Sequence, residues 1–376
     1  MLTVERVDTT EKKQVRRFVD VPFRLYAGHP HWVPPIRSDV ELALNRDKHP
    51  FYEHSTAAFF IARRDDRDVG RIAALENLNY NAYHGTRTAQ FYYFDCEDDA
   101  EAAAALFERV FEWARARHLD KVVGPKGFSP FDGYGMLERG FEHRQMMNMM
   151  NYNYPYYLRL VEELGFEKEV DFISHYLAPD KFQLDERIHR IAEWIRKRSN
   201  LDVIRFRNKR HLKQWVDRIG QTYNDAFVEN WEYVPLTPSE LDFVVDNIML
   251  VANPKLIKII AHEERVVGFA FGWPDVSAAM QRSKGKLFPF GIVDLLLEMR
   301  RTNWLAGNGM GILPEYQGRG GNALLYTELE KTVRESGFEH CELTQIAETA
   351  EQMRNDLRTL GGEPYKNHRV FRKQIA

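Results

Sequence analysis

The sequence predicts a mixed α/β protein: a largely antiparallel sheet flanked by helices, built twice along one chain. Three observations predict it. The 376-residue chain repeats itself weakly at offsets of 196 to 199 residues. In each half, two alternating apolar segments meet at a short polar turn, the pattern of a strand hairpin. A glycine-rich loop around Gly318 joins a strand-like stretch to an apolar-periodic helix.

The repeat sets the domain organisation. Val4-Glu5-Arg6-Val7 resembles Val203-Ile204-Arg205-Phe206, and Trp32-Val33-Pro34 has a counterpart in Trp231 through Val234-Pro235. Phe60-Ile61-Ala62 through Val69-Gly70 echoes Ile259-Ile260-Ala261 through Val267-Gly268, and Leu164-Gly165-Phe166 echoes Leu360-Gly361-Gly362. Matches in one order at offsets of 196 to 199 mark a duplication. The expected division is a first domain over 1–178, a linking helix over 179–200 and a second domain over 201–376. The chain length also suits two domains.

Each half opens with a short strand. A helix follows, over 11–27 and again over 211–227. Next come the hairpins, 57–75 turning at Arg64-Asp65-Asp66-Arg67 and 256–273 turning at His262-Glu263-Glu264-Arg265. A further strand leads into a long helix, 98–118 or 322–336. Then come a strand, a helix ending at Leu-Gly, and a last strand. Between the halves, Ile188, Ile191, Ala192 and Ile195 recur at helical spacing. The second half also carries an insert between Trp273 and Thr302, with Lys284, Lys286, Phe288, Pro289 and Phe290 ahead of an apolar helix (Ile292, Leu295, Leu296, Met299). It either closes over a cleft as a lid or packs on the first domain.

The strand before the loop runs over 303–312. The loop itself is Gly311-Ile312-Leu313-Pro314-Glu315-Tyr316-Gln317-Gly318-Arg319-Gly320-Gly321-Asn322, and Leu325, Leu329 and Val333 form a stripe on the helix after it. Such a loop brings backbone N–H groups close to an anion, and the helix dipole favours negative charge there. The expected ligand is a phosphate or pyrophosphate. No Lys-Ser or Lys-Thr pair follows the glycines, so this is not a Walker A loop, and Ala323 stands where a dinucleotide fingerprint needs its third glycine. Gln-x-x-Gly-x-Asn after Ile-x-Pro-Glu-Tyr resembles the acyl-CoA pyrophosphate loop of the GNAT superfamily of N-acyltransferases. That pattern is Arg/Gln-x-x-Gly-x-Gly/Ala. Gln317 and Gly320 match it, and Asn322 departs from it. The element order of each half is also that of the GNAT fold, so the chain resembles a tandem, two-domain GNAT protein.

The matching junction of the first half reads Phe94-Asp95-Cys96-Glu97-Asp98-Asp99-Ala100-Glu101. It has no glycine, and its acids suit a helix N-terminus but repel a phosphate. The first domain is therefore read as degenerate, with one acyl-CoA site per chain in the second.

The resemblance implies acyl transfer from acetyl-CoA or another acyl-CoA to the amine of a small-molecule or peptide acceptor. It implies donor contacts from Met310, Ile312, Gln317, Gly318, Arg319, Gly320, Gly321 and Asn322, with the amides near Met310 and Ile312 serving pantetheine and the oxyanion. It places the acceptor near Asp225 and Trp231. The family's usual acid, a tyrosine, falls on Leu357 here, which leaves Tyr365 or Tyr326 as substitutes. Glu342, with Thr344 and Ile346 on one strand face, is the candidate general base, because a carboxylate on a central strand needs a partner or a task. A Fem-like aminoacyl transferase and a non-catalytic acyl-CoA-binding or interaction protein are the alternatives.

Composition narrows the partners. The net charge of −3 offers no strong field for nucleic acid or an anionic membrane. No apolar run reaches the length of a membrane span. Cys96 and Cys341 are the only cysteines, without zinc-ligand spacing, so no disulfide framework and no metal are expected, and the reading is cytoplasmic. A Gly/Pro/aromatic loop at 124–135, the run Met146-Met147-Asn148-Met149-Met150, and Tyr152, Tyr154, Tyr156 and Tyr157 form either packing or a pocket for substrate or acyl tail.

Overall fold

The computed structural model describes all residues except 147–149, 181, 183, 229 and 376. Most of the methionine run named above therefore lies outside the described residues. In chain order the first half holds β1 (Leu2–Arg6), α1 (Lys12–Leu25), α2 (Arg37–Leu44), β2 (Thr56–Arg64), β3 (Arg67–Glu76), α3 (Leu78–His84), β4 (Thr88–Cys96), α4 (Ala100–Arg115), β5 (Lys121–Gly124), β6 (Met136–Arg139), α5 (Tyr156–Glu163) and β7 (Glu167–Leu177). The second half holds α6 (Glu186–Arg198), β8 (Leu201–Ile204), α7 (Lys209–Lys213), α8 (Val216–Ala226), α9 (Pro238–Val251), β9 (Ile257–His262) and β10 (Arg265–Pro274). It continues with α10 (Ser277–Ser283), α11 (Gly291–Arg301), β11 (Trp304–Ile312), α12 (Gly321–Ser336), β12 (His340–Ala347), α13 (Glu351–Thr359) and β13 (Glu363–Gln374). The class is mixed α/β, as the sequence predicts.

Two compact units form, and neither is one continuous stretch of chain. The first comprises Met1–Ile173, Val276–Leu295 and Tyr365–Ala376; the second comprises Ser174–Asp275 and Leu296–Pro364. The sequence reading divides the chain into contiguous halves instead, because a repeat reports homology and says nothing about which strands pair.

In the first unit the strand order is β1-β2-β3-β4-β5-β13, with β6 also on β13. β4 and β5 run parallel, while β13 is antiparallel to β5 and to β6. The alternation of β2 and β3 sorts their side chains into two cores, one on each face of the sheet. Ala58, Phe60, Ala62 and Ile72 meet Leu106, Phe107 and Val110 of α4. Ala57, Phe59, Ile61 and Ala73 meet Phe18 and Val19 of α1. Both faces being covered, the strands read as nearly unbroken apolar runs.

The tyrosine-rich stretch is part of this core. Tyr26 stacks on Trp32 and on Tyr154, each at 5.0 Å, and Tyr154 stacks on Tyr156 at 5.5 Å. Phe128 of the Gly/Pro loop is buried among Phe51, Phe59 and Tyr92. The start of the insert also belongs to this unit. Gln281 Nε2 donates to the carbonyls of Pro30 (2.9 Å) and Trp32 (2.8 Å), and the Arg37 amide donates to the Gly285 carbonyl at 2.9 Å.

In the second unit the order is β12-β11-β10-β9-β8. The β9–β10 hairpin turns at Glu263-Glu264, and β11 and β12 run parallel. The linking segment is α6, which packs on α12. Ile195 and Ala192 join Leu324 and Leu325 in one core. Glu328 of α12, only 3% exposed, accepts from Arg196 (2.9 Å) and Arg205 (2.6 Å), which locks helix to helix. Among the described residues no helix is long and apolar enough to cross a membrane.

Candidate functional site

The site begins where β11 and β12 part. Their parallel pairing runs from Trp304↔His340 to Gly307↔Leu343 and stops. Beyond Gly307, β11 stays with β10 alone, through Ala270↔Met310, Phe269↔Gly311 and Gly268↔Ile312. A bulge separates Ala270 from Gly272 in that ladder, and Gly309 opposite it has a φ of +90°. A bulge bends a strand and raises its twist, so it turns β11 away from its neighbour. Gln345 on β12 adopts a φ of +59°, and its side chain spans the gap to Asn308 at 2.7 Å. The result is a V-shaped opening in a parallel pair, whose β11 edge from Asn308 to Ile312 has no strand paired to it on the β12 side among the described residues.

The glycine loop lies at the end of that edge. Gln317 anchors it by donating from Nε2 to the Ile312 carbonyl at 3.2 Å. Gly318 (φ +69°) and Gly320 (φ +84°) are both left-handed, and Gly320 is the N-cap of α12. Ala323 N–H turns back to the Gly320 carbonyl at 3.0 Å. Among the described residues, no backbone or side-chain acceptor is found for the amides of Gly318, Arg319, Gly320, Gly321 and Asn322, and no side chain caps the helix. Backbone donors left open at a helix N-terminus favour negative charge there. Arg319 is exposed and in no ion pair among the described residues, so it adds charge to the same place.

The first unit repeats the geometry and fills it. β4 and β5 pair only from Thr88↔Lys121 to Gln90↔Val123 before parting. Here the Phe91 carbonyl accepts from Lys126 N–H at 2.9 Å, and a Cβ on Gly124 would come within 2.7 Å of the Phe91 ring. The far end is occupied too. Cys96 N–H donates to Tyr157 Oη at 3.0 Å, and Tyr156 Oη donates to the Cys96 carbonyl at 2.8 Å. Asp99 caps α4 by accepting from Ala102 N–H. The acids of this junction are neutralised in place: Glu97 by Arg67 and Arg24, Asp98 by Arg159, Asp99 and Glu101 by Arg64.

The remaining candidates are distributed unevenly. Glu342, 1% exposed, pairs with Ala306 at the closed end of the V. Thr344 further along accepts from Ser174 Oγ at 3.3 Å. Asp225 is exposed near the end of α8, and Trp231 is half-buried. The same helix end carries Ala226, which would lie 3.1 Å from a Cβ on Gly311, so α8 closes down on the bulged strand. Tyr365 is counted with the first unit, packed on His143 at 4.8 Å, while Glu342 and the loop belong to the second. Leu357 is a buried core residue. Tyr326 donates to Asp356 Oδ2 at 2.7 Å, and burial together with that carboxylate pushes its phenol far above the ordinary range. The sequence reading missed the bridge from Asn308 to Gln345, since no periodicity marks a pair of amides spanning two strands that have parted.

The bulged V and the glycine loop define the class: the chain has the tandem GNAT fold. It superposes on a tandem GNAT protein of the clavulanic acid biosynthesis pathway with a TM-score of 0.57 and 12% identity, over 100% of this chain and 99% of that one. A GCN5-related N-acetyltransferase from Sphaerobacter thermophilus gives 0.52 and 14%, over 100% and 96%. Among curated proteins, the chain is 27% identical to protein YghO of Escherichia coli K12, over 97% of this chain and 94% of YghO. It is 28% identical to the bacterial ceramide synthase of Caulobacter vibrioides, over 96% and 95%. No family model matches the chain.

Proposed function

We propose that the protein is an acyl-CoA-dependent N-acyltransferase with its donor site in the second unit, and that it joins a fatty acyl group to the amine of a long-chain amino alcohol. The observation that carries the donor assignment is the row of unclaimed amides from Gly318 to Asn322 beside an open strand edge. Pyrophosphate takes the amides and Arg319. Pantetheine lies along Asn308–Ile312 as an added strand, its thioester near the bulge at Gly309. The acceptor class is supported by the Caulobacter ceramide synthase, to which this chain is 28% identical over 96% of its length. Ceramides are N-acylated amino alcohols.

In the reaction the amine nitrogen attacks the thioester carbonyl. The C–N bond forms, the C–S bond breaks, and the ammonium proton leaves to a base. Amides near Met310 and Ile312 stabilise the oxyanion. Glu342 is the proposed proton acceptor, one residue before the last pair that joins β11 to β12. With Leu357 where a phenol is usual and Tyr326 engaged by Asp356, the thiolate departs without a dedicated side-chain acid. A thiolate tolerates this, because its conjugate acid has a pKa of about 8.5 in the related cysteine side chain.

The test is an assay of purified protein with palmitoyl-CoA or acetyl-CoA against sphinganine and against simple amines, reading free thiol and the N-acyl product. Amide formation with palmitoyl-CoA and sphinganine supports the reading. Turnover confined to acetyl-CoA and polar amines overturns the lipid part of it. Binding of CoA without turnover on any amine leaves only an acyl-CoA-binding protein.

A further inference from the structure

We propose that the segment 284–290 and the outer stripe of α11 dock the protein on the surface of an anionic lipid bilayer. The proposal does not rest on the acyl-transfer reading. α11 has two apolar stripes. Leu295 is 2% exposed, with Ile292 and Met299 half-buried on the same stripe. Val293, Leu296 and Leu297 form the other stripe, at spacings of three and four residues, and all are exposed. Just ahead of the helix, Phe288 and Phe290 are 79% and 81% exposed, the most exposed aromatic side chains among the large hydrophobics of the described residues. Five large apolar side chains on one short stretch in water are not scattered surface hydrophobics.

Charge selects the occupant. From 282 to 301 there are five basic residues (Arg282, Lys284, Lys286, Arg300, Arg301) against two acids, Asp294 and Glu298. Arg282 already holds Asp294 at 2.8 Å. The surplus of three positive charges stands within a chain of net charge −3. A second copy meeting this patch about a twofold axis would bring the same lysines and arginines face to face, which is repulsive. An anionic headgroup layer over acyl chains meets both properties together. Phenylalanine side chains enter the boundary below the headgroups while lysine and arginine stay at their level. The low overall charge of the chain conceals this local field, which is why composition predicts none.

The experiment is co-sedimentation of the full chain with phosphatidylcholine vesicles, with and without phosphatidylglycerol. Two variants accompany it: Phe288→Ser with Phe290→Ser, and Lys286→Gln with Arg300→Gln. Light scattering gives the mass of each protein, and melting curves with and without CoA show that each is folded and binds donor as before. The parent is expected on anionic vesicles and absent from neutral ones, with binding reduced about tenfold or more in each variant. A parent that ignores anionic vesicles, or variants that bind as the parent does, overturns the proposal. So does a parent dimer that the phenylalanine variant splits, which would give the patch to a second copy.

Discussion

At the scale of single residues, the two left-handed glycines of the loop are not equivalent. A Cβ on Gly320 would sit 2.0 Å from Ile195 Cδ1, inside the α6–α12 core, so any side chain there damages packing before it meets a ligand. A Cβ on Gly318 meets nothing within 4 Å. At its φ of +69° a side chain costs about 1–2 kcal/mol, less for Asn or Asp. Gly318→Asp is therefore the cleaner probe of the proposed phosphate site. It should fold with a slightly lowered Tm and lose the CoA-induced rise in Tm, while Gly318→Asn keeps most of that rise. An undiminished shift in Gly318→Asp would remove the loop from donor binding.

Glu342→Gln probes the chemistry. CoA binding should persist while kcat falls about 100-fold or more. A destabilised variant with full turnover per folded molecule would make Glu342 a core partner only. His368 gives a test of the first unit that is independent of function. Burial, and then Lys366, depress its pKa to about 3, and its Nε2 bonds the Asn151 carbonyl at 2.9 Å. Between the ordinary histidine value of about 6.5 and the folded value, the unfolded chain binds a proton that the folded one refuses. Stability should then fall as pH drops through that window. His368→Gln keeps a donor but not the titration, so its Tm relative to the parent should improve steadily from pH 7 toward pH 4 in melting curves.

Among elements, the fold was legible where a local pattern determined it and obscure where distant strands decided. The hairpins, the long helices α4 and α12 and the linking helix α6 follow from period-two and period-3.6 patterns with their turns. The contrast between the two loop junctions was equally plain, because glycine and acid at a helix N-terminus have opposite consequences. What stayed hidden was pairing. Nothing local in Glu363–Gln374 reveals that this strand completes the first unit, and nothing in Ala306-Gly307-Asn308 reveals where β11 leaves β12. The arginine pair on Glu328 shows how the elements of the second unit are held. Glu328→Ala leaves Arg196 and Arg205 half exposed and free to solvate, so it should cost only about 1–2 kcal/mol in chemical denaturation, below the 3–5 kcal/mol for stranding a charge in a core.

On the scale of the whole molecule, duplication has produced two versions of one opening, one plugged by tyrosines and arginine-paired acids and one left open. Calorimetric titration with CoA should accordingly saturate at one ligand per chain; two equivalent sites would show that the filled junction yields. The discontinuous units also predict the behaviour of fragments. Residues 1–178 alone lack β13, so β5 loses its antiparallel neighbour and β6 its partner. That fragment should be poorly soluble, and adding residues 363–374 through a flexible linker should rescue it, as read by circular dichroism and gel filtration.

The place of β13 has a further consequence for how the protein is made. A ribosome delivers residue 173 long before residue 374, and at ordinary speeds of translation the interval is about 10–40 s. Throughout it, most of the first unit is present with an open sheet edge and with Phe371, a core residue, still unsynthesised. The usual order of assembly, in which the earlier part finishes first, is closed to this chain. The nascent first unit must be kept from aggregation until its last strand arrives, so a messenger truncated anywhere upstream of β13 yields a product whose first unit stays incomplete and open to proteolysis.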